Sequence, residues 1–441
     1  MKTSDRVLQY PDYPSDFRQR RVGNWLVLVL TYASMYTARY NFGFANKQIS
    51  DAYGWDTDKI GWIISFGSLL YGITAMFIGP IADKIGGRRA MLIGATGAFV
   101  FNALFGLGAY LGALSTINVL FAYLISMWML NMMFQSCSAL ALIKINSAWF
   151  HRKERGRFSA VFGSMIQLGR AAVYAMMTMS LVVVLPWQWK FFLPAMVVSV
   201  MTIMTYLFVQ NSPNDLGFGT LDTDDATSGD KDDITFGYVV KKIFANPVTI
   251  AIAAAEFCTG TVRRGFEEWF PRYMQEAQGL TLDNPIFQKG AFAIVLVGIA
   301  GAFVAGYLSD WRFESRRMPV AFIGYTFAVL GLGTVSYYAA HTNLVIVGFV
   351  CISFGISIVH SMLSGTASMD FGGKKAAATA TGFFDGMQYI GGAVAGYGVG
   401  KLVKLFTWSA WAPTLIGFAA VGAILMLALW NVKPQKKGGS H

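Results

Sequence analysis

Two arginines fall inside stretches that are otherwise apolar, Arg39 within 24–45 and Arg263 within 245–270. An arginine at the centre of a membrane helix costs roughly 2.5–3.5 kcal/mol on insertion scales, so it needs an anionic partner or a water-filled cavity. Tyr32, Tyr36 and Arg39 are spaced i, i+4 and i+7, which sets two hydroxyls and a guanidinium on one helix face. Two arginines facing each other repel when the space between them is empty, and a dianion relieves that repulsion. A guanidinium is a rigid fork that matches a phosphate bidentately. A phosphate group carries about −1.5 to −2 charges at pH 7, which roughly balances two such forks. The competing reading neutralises each arginine with a protein carboxylate. Glu256 stands seven residues before Arg263 and Glu267 four after it, both on its face, and Glu268 follows. Glu256, deep in its span, is expected to hold Arg263 in the empty state or to carry a proton. Glu267 and Glu268 read equally well as charges at a helix end.

The segments that must position these charges read as membrane helices. The 441 residues are 55% hydrophobic and 13% charged, with a mean hydropathy of +0.48. A soluble domain carries about 25% charged residues, so too little polar surface remains to solvate a globule of this size. Residues 91–109 and 345–359 contain no Asp, Glu, Lys or Arg. A bilayer crossing takes roughly 20 apolar residues, and only helices or closed barrels satisfy the backbone in lipid. The apolar runs are continuous rather than alternating, which selects helices. We place them near 24–45, 59–80, 90–111, 116–148, 158–184 and 190–209, then near 245–270, 289–309, 318–339, 343–368, 376–404 and 409–431.

Between the two sets, residues 211–233 hold Pro213, Gly217, Gly219 and seven aspartates without apolar periodicity, which marks a solvated linker. The expected division is an N-terminal segment 1–23, a six-helix bundle 24–210, a linker 211–242, a second bundle 243–432 and a tail 433–441. Lys and Arg concentrate in alternate loops: Lys84, Arg88 and Arg89; Arg152, Lys153, Arg155 and Arg157; Arg312, Arg316 and Arg317; and both chain ends. With twelve spans these all lie on one side, so both termini are expected in the cytoplasm. A weak repeat supports the halving. Residues 157–171, RFSAVFGSMIQLGRA, align with 379–393, TATGFFDGMQYIGGA, and GPIAD at 79–83 aligns with GYLSD at 306–310. Two parallel repeats about an axis along the membrane normal describe the major facilitator architecture.

Several function classes drop out. The net charge of +11 invites nucleic acid, but the basic residues sit in short loops between spans, so lipid is the expected surround. Cys137, Cys258 and Cys351 all lie in apolar runs and read as small packing residues. His151, His341, His360 and His441 form no cluster with Cys and carboxylates, so no metal is expected; His360 reads as a packed neutral imidazole. No Gly-rich nucleotide loop is present, and no cofactor is expected. The polar, basic N-terminus leads into a full span, which argues against a cleavable signal peptide. A monomer is expected.

GPIADKIGGRR at 79–89 resembles the loop motif of the major facilitator superfamily, G-x-x-x-D-[RK]-x-G-[RK]-[RK], with one extra glycine shifting the arginines. The resemblance implies that Asp83 pairs with Arg88 and Arg89 in a cytoplasmic gate, with Asp310, Arg316 and Arg317 at the matching place in the second half. YASMYTARYNFGFA at 32–45 is similar to the first helix of the organophosphate:phosphate antiporters, which include bacterial glycerol-3-phosphate and hexose-phosphate carriers. VRRGFEEWFPRY at 262–273 resembles their seventh helix. FHRKERG at 150–156 and GGKKAAATATGFFDGMQYIGG at 372–392 resemble the family's corresponding loops and its fifth and eleventh helices. The resemblance spans nearly the whole chain. It implies an all-α major facilitator fold of twelve transmembrane helices in two six-helix bundles, in a bacterial inner membrane.

It also implies that Arg39 and Arg263 form a phosphate site, that Glu268 joins a switchable ion pair, and that Asp370 and Tyr389 occupy an acidic and a pocket position of the family. The departures bear on the ligand. The helix 2 lysine of the family aligns with Ala75, its helix 5 histidine with Ile166, and the basic residue after the first arginine with Tyr40. In compensation, Arg170 lies one turn further along helix 5 beside Gln167, and Lys144 keeps a basic residue in helix 4. Helix 11 supplies Asp385, an acidic newcomer, with Gln388 and Tyr389. The expected activity is secondary transport, exchanging a phosphorylated metabolite for inorganic phosphate. The alternatives are proton-coupled symport of a non-phosphate organic anion, with Glu256 or Asp385 carrying the proton, and a transporter-like sensor.

Overall fold

The computed structural model describes residues 7–8, 10–112, 116–151, 167–221, 246–314 and 316–432, without the side chains of 79–84, 140, 143 and 365–381. In the first half the helices are α1 (Ser15–Tyr53), α2 (Thr57–Ile85), α3 (Gly87–Leu111), α4 (Ile117–Trp149), α5 (residues 167–177), α6 (Ser180–Val184) and α7 (Trp189–Phe208). In the second they are α8 (Pro247–Glu267), α9 (Phe270–Glu276), α10 (Pro285–Arg312), α11 (Arg317–Tyr337), α12 (Thr342–His360), α13 (Ser368–Phe406) and α14 (Trp411–Ala428). Wide π-type turns at Ser361–Ala367 connect α12 to α13. The break expected between 368 and 376 is therefore absent, and α13 runs through this stretch despite Gly372 and Gly373.

Eight stretches among the described residues are long and apolar enough to cross a membrane, and one of them, Gly382–Ala428, holds the two helices α13 and α14 with a turn at Thr407 (φ 61°). Helices one and seven of the expected twelve, α1 and α8, are not among these spans. They carry the arginines, so polarity and site coincide. Residues outside the contact faces are bare hydrocarbon: Val200, Ile203, Leu296, Phe303, Leu330 and Ile424 are all exposed. Such a belt is tolerated against lipid and not against water.

Helix α1 is longer than its apolar run. It begins at Ser15 after Pro14 and stops at Gly54, whose φ of 61° is open to glycine at no steric cost. Its polar first turns pack near the end of α4: Arg21 lies over the rings of Tyr13, Phe17 and Phe150. Every residue from 31 to 46 is buried. A helix buried all round belongs at the centre of a bundle, and its polar groups must find partners inside the protein.

The first-half helices pack on one another, α3 on α4 and α7 and α2 on α4; the second-half helices do likewise, α11 on α12 and α14 and α10 on α12. The halves meet along α2 and α13. Small residues line that seam, and a Cβ at Gly72 would lie 2.8 Å from the Gly386 carbonyl oxygen. Close approach of this kind is what small residues permit between membrane helices. At the end away from the termini the halves are also bonded. Arg272 donates to Ser50 Oγ (2.8 Å), Thr57 Oγ1 to the Gly400 carbonyl (2.7 Å), and Lys404 pairs with Asp56 (2.7 Å) and Asp58 (3.0 Å).

Candidate functional site

The second half offers its charges from a broken helix. Asn246 caps α8 by accepting from the Val248 N–H (2.9 Å), with Pro247 in the first turn. Pro271 has no N–H to give the Glu267 carbonyl, so the helix breaks and restarts as α9. Nearby, the Glu268 carbonyl accepts from Asn46 Nδ2 across the halves (3.3 Å). Gly43 makes this approach possible, since a Cβ there would stand 3.1 Å from the same oxygen.

Glu267 and Glu268 are buried at this break rather than standing as helix-end charges. Glu267 Oε1 takes Arg170 Nη2 at 2.7 Å and Arg263 Nε at 3.3 Å. Glu268 Oε1 takes Arg264 Nη1 at 3.0 Å. The Arg264 guanidinium also lies over the rings of Tyr389 (4.4 Å) and Tyr40 (5.2 Å), where cation–π attraction helps to hold it. Sequence reasoning passed over Arg264, although its i, i+4 spacing to Glu268 was visible.

Arg263 is further bonded to Gln388 Oε1 (2.8 Å) and reaches Tyr40 Oη and His360 Nε2, both at 3.5 Å. The Gln388 amide donates to Glu256 Oε2 (2.8 Å), and Ser364 Oγ donates to Glu256 Oε1 (2.6 Å). Arginine can only donate and a carboxylate only accept, so the orientation of the Gln388 amide is determined by its neighbours. Glu256 thus does not hold Arg263 directly; Glu267 does, and Glu256 reaches it only through Gln388. His360 is no isolated packing residue, because it contacts both Arg263 and Gln388 Nε2 (3.0 Å).

Arg39 is held differently. Its Nε donates to Gln135 Oε1 (2.9 Å) and its Nη1 to Tyr389 Oη (3.4 Å). Its Cζ lies 4.7 Å from the Tyr36 ring centroid and 5.0 Å from that of Tyr71. Tyr71 stacks on Tyr389 at 3.7 Å, and Tyr36 lies between Tyr32 and Tyr40, 5.6 and 5.8 Å away. No carboxylate among the described residues pairs with Arg39, and its Nη2 is buried without a hydrogen-bond partner.

The polar support of Arg39 runs through carboxamides. Gln135 Nε2 donates to the Ala38 carbonyl (3.2 Å) and to Asn131 Oδ1 (2.9 Å). Asn131 Nδ2 donates to Ala38 O (3.1 Å), and Asn102 Nδ2 to Ala38 O (2.9 Å) and Asn131 Oδ1 (3.0 Å). With both amide hydrogens of Gln135 engaged, its oxygen is left to face Arg39. Asn102, Asn131 and Gln135 are fully buried. None was singled out from the sequence, although Asn131 and Gln135 break an apolar run at helical spacing.

Among the other expected residues, Gln167 accepts from Arg170 Nη1 at 3.3 Å. Lys144 lies nine residues beyond Gln135 on α4, about 13 Å along the axis, and is not a partner of Arg39 or Arg263. Asp385 lies one turn before Gln388 and Tyr389 on the same face of α13. Of the gate residues, Arg88 donates to the Tyr206 carbonyl (2.5 Å) and, through its backbone N–H, to Asn211 Oδ1 (2.7 Å), while Arg89 is exposed. Asp310 pairs with Arg317 (3.2 Å). The side chains of Asp83 and Asp370 lie outside the described residues.

Four arginines and four carboxylates from the two halves are therefore gathered into one cluster, inside a bundle of membrane helices. That cluster of buried charge within membrane helices is the candidate site. A profile described as the Major Facilitator Superfamily matches residues 28–396, and the chain belongs to that family. It is 25% identical to a glycerol-3-phosphate transporter of Bacillus subtilis (strain 168), covering 94% of this chain and 93% of that one. It is 26% identical to the membrane sensor protein UhpC of Escherichia coli (strain K12), covering 98% of each. Hexose phosphate transport proteins are among the relatives as well. The fold matches a crystal structure of the nucleoside transporter NupG with a TM-score of 0.69 at 11% identity, over 93% of this chain and 100% of that one. The chain is a multi-pass integral membrane protein related to glycerol-3-phosphate and sugar-phosphate transporters.

Proposed function

We propose that this protein exchanges a phosphorylated metabolite for inorganic phosphate by alternating access. The observation that carries the reading is Arg39, a buried guanidinium with an unpartnered Nη2 and no counter-ion among the described residues, placed beside residues of the opposite half. A phosphoryl group supplies the missing acceptor and the missing charge together. Arg263 is the second arm; it reaches the anion by releasing part of its hold on Glu267. Binding draws the two halves together around the anion, and the loaded carrier rocks to the other side. An empty carrier keeps Arg39 uncompensated, which disfavours an empty return and makes transport an exchange.

On this reading the halves are 24–210 and 243–432, joined by 211–242, with both termini in the cytoplasm of a bacterial cell. The protein works as a monomer in the inner membrane. In proteoliposomes, Arg39→Lys and Arg263→Lys are expected to abolish exchange of internal and external phosphate. Wild-type rates in either variant would overturn the mechanism.

A second reading has support in Glu256, which is buried with only neutral hydrogen-bond donors around it. A carboxylate so placed suits a proton-coupled symporter of an organic anion. Uptake driven by an imposed pH gradient, without internal phosphate, distinguishes this from exchange. The sensor named among the relatives supplies a third reading, for which the expected result is ligand binding without counterflow.

A further inference from the structure

The remaining acid of the cluster has no hydrogen-bond or ion-pair partner among the described residues. Glu267 and Glu268 are occupied by arginines, and Glu256 by Ser364 and Gln388. Asp385 has no hydrogen bond or ion pair with any described residue, and its side chain is half-buried. It shares a face of α13 with Gln388, which binds Arg263, and with Tyr389, which binds Arg39. The titratable groups close enough to act on it come from several helices: Arg263 and Arg264 and Glu256 on α8, Arg39 and Tyr32 on α1, and Tyr71 on α2.

Two unsatisfied groups thus lie within electrostatic reach of each other in one cluster, a guanidinium nitrogen that needs an acceptor and a carboxylate that needs a donor. A bare tetrahedral dianion serves the first and repels the second. A tetrahedral anion that still carries a proton serves both. Building on the phosphate reading above, we propose that Asp385 determines oxyanion specificity by accepting a hydrogen bond from the P–OH group of hydrogen phosphate, or of a singly protonated phosphate ester, held at Arg39 and Arg263. Sulfate has the same shape and no proton at neutral pH, so it leaves Asp385 unpaired against a like charge. A site built to hydrogen-bond a hydroxyl strongly rejects an analogue lacking it, because the buried partner is left unsatisfied. The acid would then serve to exclude sulfate rather than to weaken phosphate binding.

The test is calorimetric titration of the purified full chain in detergent at pH 7 with sodium phosphate and, separately, sodium sulfate. The wild type is expected to bind phosphate at least about a hundredfold more tightly than sulfate. In Asp385→Asn the amide donates to either anion, and the preference is expected to shrink to within about threefold. Wild-type binding of the two anions within about threefold overturns the proposal, as does undiminished discrimination in a folded Asp385→Asn. The wild-type ratio decides the matter even where the variant does not fold. Binding of neither anion removes the phosphate reading and this inference with it, whereas phosphate binding without discrimination removes only the inference.

Discussion

The two halves of the molecule place an arginine at corresponding points and treat it in opposite ways. In the first half Arg39 is held by an amide, a phenol and two aromatic faces, so its charge is left standing. In the second half Arg263 and Arg264 each have a carboxylate four residues on, and Arg170 crosses from the first half to share Glu267. One half therefore presents an arginine ready for an anion, and the other is internally balanced. Repulsion between two bare arginines, the expectation from their spacing, is replaced by one bare arginine facing a buffered set. Balanced pairs can exchange partners when an anion arrives, whereas a bare buried charge can only be satisfied by that anion. On the proposed exchange, capture falls to the first half and the response to the second.

The asymmetry is broken most directly at Gln135. Gln135→Glu places a carboxylate 2.9 Å from Arg39 Nε, where the amide oxygen now lies, and supplies the protein counter-ion that the first half lacks among its described residues. Phosphate affinity is expected to fall about a hundredfold or more, which is some ~2.7 kcal/mol. Gln135→Leu removes the support without adding charge and is expected to cost about tenfold. Equal effects in the two variants would mean that the missing carboxylate is not what matters.

Next in size is Glu267→Gln, which strips two arginines of their shared partner. Breaking a buried pair costs about 3–5 kcal/mol, because the remaining charge is left uncompensated. Thermal unfolding in detergent is expected to drop by ~5 °C or more, and saturating phosphate to restore part of it. No change in the midpoint would refute the view that the second half is charge-buffered.

The smallest effect is expected at the far end, where Lys404 joins α13 to Asp56 and Asp58. These groups are largely exposed, and such pairs contribute little. Lys404→Ala should change the exchange rate by less than about fivefold. The hydrogen bond from Lys404 holds the Asp56 carboxyl below the usual carboxylate range. A lowered acid stabilises the bonded form above its ordinary value, near about pH 4, and that contribution fades as pH falls through the lowered value. A latch that weakened on raising the pH from about 5 to about 8 would contradict this assignment.

Much of this protein could be read from residue order alone, and the physical reason is the bilayer. Lipid demands uninterrupted apolar helices, so the few charges that interrupt them stand out, and Arg39 and Arg263 were found in that way. The same constraint makes most of the apolar spans legible. Which carboxylate meets which arginine was not legible. Glu256 and Glu267 share the face of Arg263 in sequence, yet only Glu267 bonds it, because Gln388 from α13 stands between Arg263 and Glu256. Gln135 and Arg39 are 96 residues apart and meet only because α1 is buried at the centre of the bundle. Helical spacing orders groups along one helix face. Pairing across helices depends on packing, and packing alone left Arg39, Glu256 and Asp385 without an ionic partner among the described residues.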